Sequence, residues 1–476
     1  MKKRGICRFA AVTAVMLCIL PLFFLIGGFL LPEQYGDTYL GELKYKVGRL
    51  QSTEGKRILL IGGSSLAFGL DSRLMETYLP GYSVVNLGMY AGLGTKVLFS
   101  LAEDEIRSGD IVIVSVEQSR QTLSDYFNAE NMWQASDGAF RLLEKLNRTE
   151  LRQMAGTFPE FAAAKWRSVL AGEKPAGTGV YRRASFNSMG DIENPACDRN
   201  IMTGGVDTAV GVTLAPDVIG SDFTDSLNTF TDQMTARGAV VWYHLCPMNA
   251  KALAADADLS AYADTLQSGL HCQVIGKPEA SRMDSGWFYD TNYHLNQSGR
   301  TVNTKQWIRD IKAMLGITAA TDIALPDMPA REETAAAAGD NADQDCFTCE
   351  TSQGICHLTG LTEKGKSRDT LTVPAEWNGV PVRILDTGAF AGGSGLQRII
   401  LQENITQIAD GAFSGCGSLK EIVLQNAKPE QCRVGQALLQ GTDARLLVPA
   451  PALSAYRVSY DWSVYADRLQ AISDTE

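Results

Sequence analysis

The sequence predicts an α/β fold, a parallel-sheet domain behind an N-terminal membrane-spanning helix and ahead of a small repeat solenoid. Three observations predict it. Short β-branched runs alternate with helix-like segments, the pattern of a parallel sheet covered on both faces. A cationic start leads into an uncharged run long enough to cross a bilayer. Near the C-terminus a block of residues returns at a constant offset, the mark of stacked repeats.

In chain order, Met1-Lys2-Lys3-Arg4 and Arg8 precede an uncharged run from Phe9 to Leu31. This reads as a cytoplasmic N-terminus over 1–8 and a transmembrane helix over 9–31, because the cationic flank stays inside. A cleaved signal peptide is the alternative, and either one exports the rest. The expectation is a single-pass cell-membrane protein, its bulk extracytoplasmic, with a polar juxtamembrane segment over 32–55. The net charge of −11 and pI near 5.1 exclude the clustered basic surface that nucleic acid requires.

The next domain spans 56–316. Ile58-Leu59-Leu60-Ile61, Val84-Val85, Ile111-Val112-Ile113-Val114 and Ala239-Val240-Val241-Trp242-Tyr243 are nearly continuous apolar runs, as strands buried on both faces should be. Between Asn128 and Asp232 the rhythm is lost, with Trp133, Trp166 and a Tyr181-Arg182-Arg183 patch, so a long helical and loop insertion is expected there. A final helix runs over about Ser298 to Leu315. The stretch 317–345, rich in Ala, Asp, Glu and Pro, has the composition of a linker.

In the last domain, 346–476, Gly388-Ala389-Phe390 returns as Gly411-Ala412-Phe413, and Leu396, Ile399 and Leu401 return as Leu419, Ile422 and Leu424, always 23 residues on. Gly411-Ala412-Phe413-Ser414-Gly415-Cys416-Gly417-Ser418-Leu419 resembles the BspA-type leucine-rich repeat of bacterial surface proteins. Leu371-Thr372-Val373-Pro374 is a weaker turn, Leu447-Val448-Pro449 opens a closing cap, and Tyr456 and Trp462 read as its apolar covers. The resemblance spans about Gly354 to Ile472 and implies a protein or glycan ligand. Cys346, Cys349 and Cys356-His357 could ligate zinc but lack a second paired half, and an exported chain favours disulfides. No metal or organic cofactor is expected.

The residues that could carry chemistry fall at strand ends, where open α/β sheets bind ligands. The first strand runs into Gly62-Gly63-Ser64-Ser65, a tight turn that exposes a hydroxyl. Asn86-Leu87-Gly88, then Gly92 and Gly94, follow the second strand and offer backbone donors for an oxyanion. Tyr289-Asp290-Thr291-Asn292-Tyr293-His294-Leu295-Asn296 precedes the final helix and joins a histidine to a nearby carboxylate. Of the other three histidines, His244 falls in a predicted buried strand and reads as core, and His271 and His357 have no partner pattern.

In this order the blocks resemble the SGNH hydrolases, esterases and acyl-group handlers, and more closely the branch that includes the D-alanyl-lipoteichoic acid transfer proteins. The resemblance covers about Lys56 to Leu315 and implies a flavodoxin-like parallel sheet. It also implies Ser65 as nucleophile, His294 as base and Asp290 as the orienting carboxylate, with an oxyanion hole made by the amides of Ser65 and of Gly88 or Gly92. Such chemistry needs all three groups, since a serine hydroxyl is a weak nucleophile until an oriented imidazole takes its proton. Three departures stand out. Gly63-Ser64-Ser65 replaces the usual Gly-Asp-Ser, Asp290 lies four residues before His294 with Thr291 at the expected position, and no Gly-x-Asn-Asp follows the third strand. Gln118 is a candidate for the missing amide, and Glu117 and Asn296 for substrate binding, or Glu117 and Gln118 are plain loop residues. The implied function is a cell-surface serine esterase or acyltransferase acting on acyl groups of envelope glycans or lipid-linked polymers. The alternative is a non-catalytic adhesion protein with a degenerate scaffold and ligand-binding repeats.

Overall fold

The computed structural model describes residues 19–175, 177, 179–207, 211–329, 341–352, 355–377, 380–435, 438–439, 441–459 and 462–472. The chain divides into two units, Met1–Thr334 and Ala335–Glu476.

Four strands of the first unit, β1 (Lys56–Gly62), β2 (Tyr82–Asn86), β3 (Ile111–Ser115) and β4 (Val240–His244), join a fifth, Gln273–Ile275, in the order β2-β1-β3-β4-fifth. All pair in parallel. Ile58 to Ile61 and Val112 to Val114 are wholly buried, which is why these runs lack the polar alternation of a half-exposed strand. Their order reverses between β1 and β3, the kind of switch point at which open α/β sheets bind ligands beyond the strands' carboxyl ends. The expected insertion contains the helices Ala129–Ser136 and Arg148–Ala171 and a long irregular segment before the helix Ser221–Ala236. The helix Arg148–Ala171 begins at a capping box, Asn147 with Glu150, and ends at the left-handed Gly172.

Three expectations change. Among the described residues no helix is long and apolar enough to cross a membrane, so the transmembrane helix over 9–31 is not supported; residues 1–18 lie outside the described ones. What is described of that segment touches the domain at some positions, while Ile19, Leu20, Leu22, Leu25 and Leu30 stay exposed. Phe23 stacks on Trp166 at 5.1 Å, Gly27 and Gly28 are buried, and the Lys165 ammonium donates to the Gly28 and Leu31 carbonyls at 3.2 Å while pairing with Asp137 at 2.6 Å. The segment 32–55, expected as a polar juxtamembrane stretch, belongs to the domain: its helix Leu43–Ser52 buries Leu43, Val47 and Leu50 in the core. Third, the start of the expected linker lies on the first unit: Ile323 is buried, and Lys312 donates to the carbonyls of Ala319 and Ala320, both at 3.1 Å. Polar composition alone misses such backbone anchoring.

The second unit is built of stacked coils. Thr370–Thr372, Arg398–Leu401, Glu421–Leu424, Arg445–Val448 and Leu469–Ala471 form one parallel sheet. Ile399, Ile422, Leu446 and Leu469 fall in register across it and are all buried. A second sheet runs Arg433–Val434, Gln407–Ile408, Val380–Leu385, Ile355–Leu361, Phe347–Ser352, its last pair antiparallel. Phe390 and Phe413, one repeat apart, pack ring against ring at a 30° tilt with centroids 4.9 Å apart. Each coil thus buries its apolar edge on the next, as quasi-one-dimensional folds do. Tyr456 and Trp462 are wholly buried, their polar tips bonded to the carbonyls of Asn426 and Cys432 at 2.8 and 2.9 Å.

Candidate active site

β1 ends at Gly62, where a side chain would collide with the Ser115 carbonyl of β3. Gly63 is extended (φ −81°, ψ −165°) and opens a short helix, Ser64–Gly69, with every residue buried. Ser64 therefore stands at the carboxyl edge of the sheet, on the first helical position. Its Oγ lies 2.8 Å from Nε2 of His294. Nδ1 of His294 lies 2.9 Å from Oδ1 of Asp290, and the Tyr181 hydroxyl donates to the other oxygen of that carboxylate. Phe68, one helical turn after Ser64, stacks flat on the imidazole at 4.0 Å and 6°. An imidazole whose Nδ1–H is held by a carboxylate presents a free lone pair at Nε2, the tautomer that can accept a serine proton.

The loop before the final helix holds these groups by its own hydrogen bonds. The His294 amide donates to Oγ1 of Thr291 at 3.1 Å, and its carbonyl accepts from the Tyr289 amide at 2.8 Å. Thr291, at the spacing where a carboxylate was expected, braces the loop, and Asp290 reaches the imidazole from one residue earlier. Asn296 caps the helix Gln297–Leu315 through the Gly299 amide at 2.8 Å and donates to the carbonyls of Gly286 and Phe288. With no exposure and all its polar atoms engaged, it is a structural cap and not a substrate-binding group.

The expected nucleophile and oxyanion donors also change. Ser65 points away from His294: its Oγ is buried without a partner, and its amide donates to Oε1 of Glu117 at 2.8 Å. One step along a helix turns a side chain by about 100°, so of two adjacent serines only one can face the histidine, and it is Ser64. The Gly88 amide donates to Oδ1 of Asn86 at 2.8 Å. Gly92 lies in the turn Ala91–Leu93, its carbonyl accepting from Asn131 at 3.1 Å. Gln118 is a core bracket: its amide donates to the Val116 carbonyl at 2.8 Å, its Oε1 accepts from the Tyr262 hydroxyl at 2.6 Å, and its backbone carbonyl accepts from Tyr293 at 2.9 Å. Of the expected donors, Ser65, Gly88 and Gln118 are thus already occupied.

Beneath the turn lies a buried polar cluster that sequence reading missed. The Asp191 carboxylate accepts from the Ser72 amide and hydroxyl at 2.8 and 2.7 Å and from Asn86 at 2.8 Å. Burial still raises its pKa above the ordinary carboxylate value. Lys46 donates to the carbonyls of Asn86 and Gly190, and burial lowers its pKa to about 8. Burial first, and Asp290 second, raise the Tyr181 pKa well above that of an ordinary phenol, which keeps it a neutral donor. Tyr181 was visible in the sequence only as part of an aromatic and cationic patch in the insertion. His244 is buried, its Nδ1 2.7 Å from the Leu245 carbonyl and its Nε2 3.1 Å from Asp310. Among the described residues no group of three His, Cys, Asp or Glu side chains is gathered to hold a metal ion.

No family model matches the chain, and no curated protein matches it. Solved structures that match include protein YxiM of Bacillus subtilis, 11% identical, with 56% of this chain and 59% of that chain covered and a TM-score of 0.28. The chain thus spans under two thirds of that protein, and a score of this size carries no argument about activity.

Proposed function

We propose that the first unit is a serine-dependent hydrolase or acyltransferase of the SGNH kind, with Ser64 as nucleophile, His294 as general base and Asp290 as the carboxylate that orients it. One observation carries the reading: the unbroken chain from Ser64 Oγ through both ring nitrogens of His294 to Asp290, at 2.8 and 2.9 Å, within the reach that proton transfer requires. In the reaction Ser64 Oγ attacks an acyl carbonyl as its proton passes to Nε2. His294 then returns that proton to the leaving alcohol, and an ester joins the acyl group to Ser64. Attack on this ester by water or a sugar hydroxyl, deprotonated by the same imidazole, frees the enzyme. The Ser64 amide, at the first helical position, is the nearest backbone donor for the oxyanion. The substrate class we favour is acyl esters of cell-envelope glycans or lipid-linked polymers, with the second unit as a glycan- or protein-binding module. This choice rests on the likeness of the sequence repeats to those of bacterial surface proteins.

The test is a serine-directed fluorophosphonate probe with peptide mapping of the label. Wild-type protein and Ser65→Ala should label at Ser64, and Ser64→Ala should not label. Labelling at Ser65, or none in the wild type across neutral pH, would sink the assignment.

A further inference from the structure

The loop after β3 places Glu117 directly against the nucleophile turn. The residue is 5% exposed, and among the described residues no cation pairs with it. Its Oε1 accepts the Ser65 amide at 2.8 Å, and its Oε2 is buried without a partner. A buried carboxylate so sparsely paired is costly, and the catalytic relay does not use it.

Gly63 explains the placement. It occupies the N-cap position of the helix Ser64–Gly69, with the extended backbone that caps adopt, yet it has no side chain to offer. At such a position Asp, Asn or Ser normally accepts the amide two or three residues on. Here that amide is Ser65's, and the acceptor arrives from the loop after β3. A Cβ built on Gly63 would fall inside the Glu117 carboxylate. The missing side chain at 63 and the carboxylate from 117 therefore occupy the same space.

We propose that Glu117 is a positioning residue: its carboxylate supplies, from the loop after the neighbouring strand β3, the cap that residue 63 lacks. It thereby holds the turn in the phase that puts Ser64, and not Ser65, against His294. The proposal rests on reading Ser64 as the nucleophile. Freed of this contact, the first turn would keep an unmet amide and could rotate, and a misplacement of about 1 Å at a nucleophile can cost on the order of 10²-fold in rate. The role is one of geometry and involves no proton transfer, so an uncharged acceptor of the same shape should serve.

The experiment moves the cap. Glu117→Ala should slow fluorophosphonate labelling of Ser64 by about 10²-fold and lower the melting temperature of the full chain by roughly 2–4 °C. Glu117→Gln, which keeps an oxygen at Oε1, should recover most of the rate with the wild-type pH profile. Gly63→Asp alone should be slow, because two carboxylates would compete for one space. Combined with Glu117→Ala, it should regain both rate and melting temperature, since the new side chain caps from the usual position. Wild-type labelling by Glu117→Ala, or a double variant no better than Glu117→Ala, would overturn the proposal, as would a Glu117→Gln variant as slow as the alanine one. If the wild type does not label at all, the nucleophile reading falls, and the melting temperatures alone then decide whether Glu117 caps the turn.

Discussion

Arg57, Lys46, Lys165, Asp110, Asp137 and Asp191 lie inside the first unit at 2% exposure or less, whereas Ala389, Phe390, Leu396 and Ile399 and their repeat mates fill the second. Each of these buried ions has its own set of partners. Arg57 pairs with Asp110 through Nε at 3.0 Å and through a second nitrogen, and also donates to the Leu50 carbonyl at 2.8 Å. In the second unit one apolar contact is translated from coil to coil. On the proposed reading, the translated contact gives a surface on which to bind, and the network of unique polar partners a place in which to react. Pairing of this kind, drawn from several elements at once, is what a nucleophile and base need to be held within reach.

The sharpest way to break this contrast is at the relay. His294→Ala should slow acylation by about 10²–10⁴-fold, the worth of a positioned base, and leave hydrogen-exchange protection in the second unit unchanged. Asp290→Asn should cost as much, because an amide cannot hold the same tautomer. A loss under tenfold in either variant would remove the relay as the reason for the polar interior.

Stability tests follow. Arg57→Ala leaves Asp110 buried and unpaired and should destabilise the first unit by about 3–5 kcal/mol. Phe413→Ala should destabilise the second by a similar amount, about 3–5 kcal/mol, through the cavity it opens. The two differ in repair. Phe413→Leu keeps most of the volume and should cost under about 1.5 kcal/mol, while Arg57→Lys keeps the charge but loses the fork that meets both oxygens of Asp110. Hydrogen exchange within each unit reads both, and equal tolerance of the two conservative changes would erase the distinction.

The same contrast explains what could be read in advance. The repeat was legible because an offset of 23 residues copies its apolar positions without reference to the rest of the chain, and β1, β3 and β4 because their runs are apolar on both faces. Asp290 and His294 were legible as a pair in one loop. The choice between Ser64 and Ser65 was not, because it turns on the phase of one helical step after Gly63. Glu117 and Gln118 were equally opaque: both follow β3, one turns to the nucleophile turn and the other to Tyr243 and Tyr262, and only the assembled sheet decides which. The transmembrane expectation failed for a related reason. An apolar segment is the same string whether it spans a bilayer or, as in its described part, touches the helix Arg148–Ala171 through Phe23 and buries only Gly27 and Gly28.

A smaller effect tests the polar interior through pH. Glu42 lies next to Lys46 in chain and charge, and burial raises its pKa from 4.5 to about 7, partly offset by Lys46. Between these values the folded state keeps a proton that the unfolded state releases. The contribution is therefore full below pH 4.5 and is lost as pH rises through 7, amounting to up to about 3 kcal/mol at 1.36 per unit. Glu42→Gln should flatten the fall in stability between pH 5 and 7, as followed by chemical denaturation. An unchanged slope would assign it to another group.

The smallest expected effect falls on the relay's outer member. Tyr181 donates to Asp290 and lies 3.2 Å from Nδ1 of His294, so it shares the carboxylate's charge with the imidazole. Removing the hydroxyl takes one hydrogen bond from Asp290, while the carboxylate still holds the tautomer and Phe68 still stacks on the ring. Tyr181→Phe should therefore slow labelling by no more than about fivefold, the worth of one net hydrogen bond of ~1 kcal/mol. A collapse of the labelling rate toward that of Asp290→Asn would make Tyr181 part of the orienting apparatus.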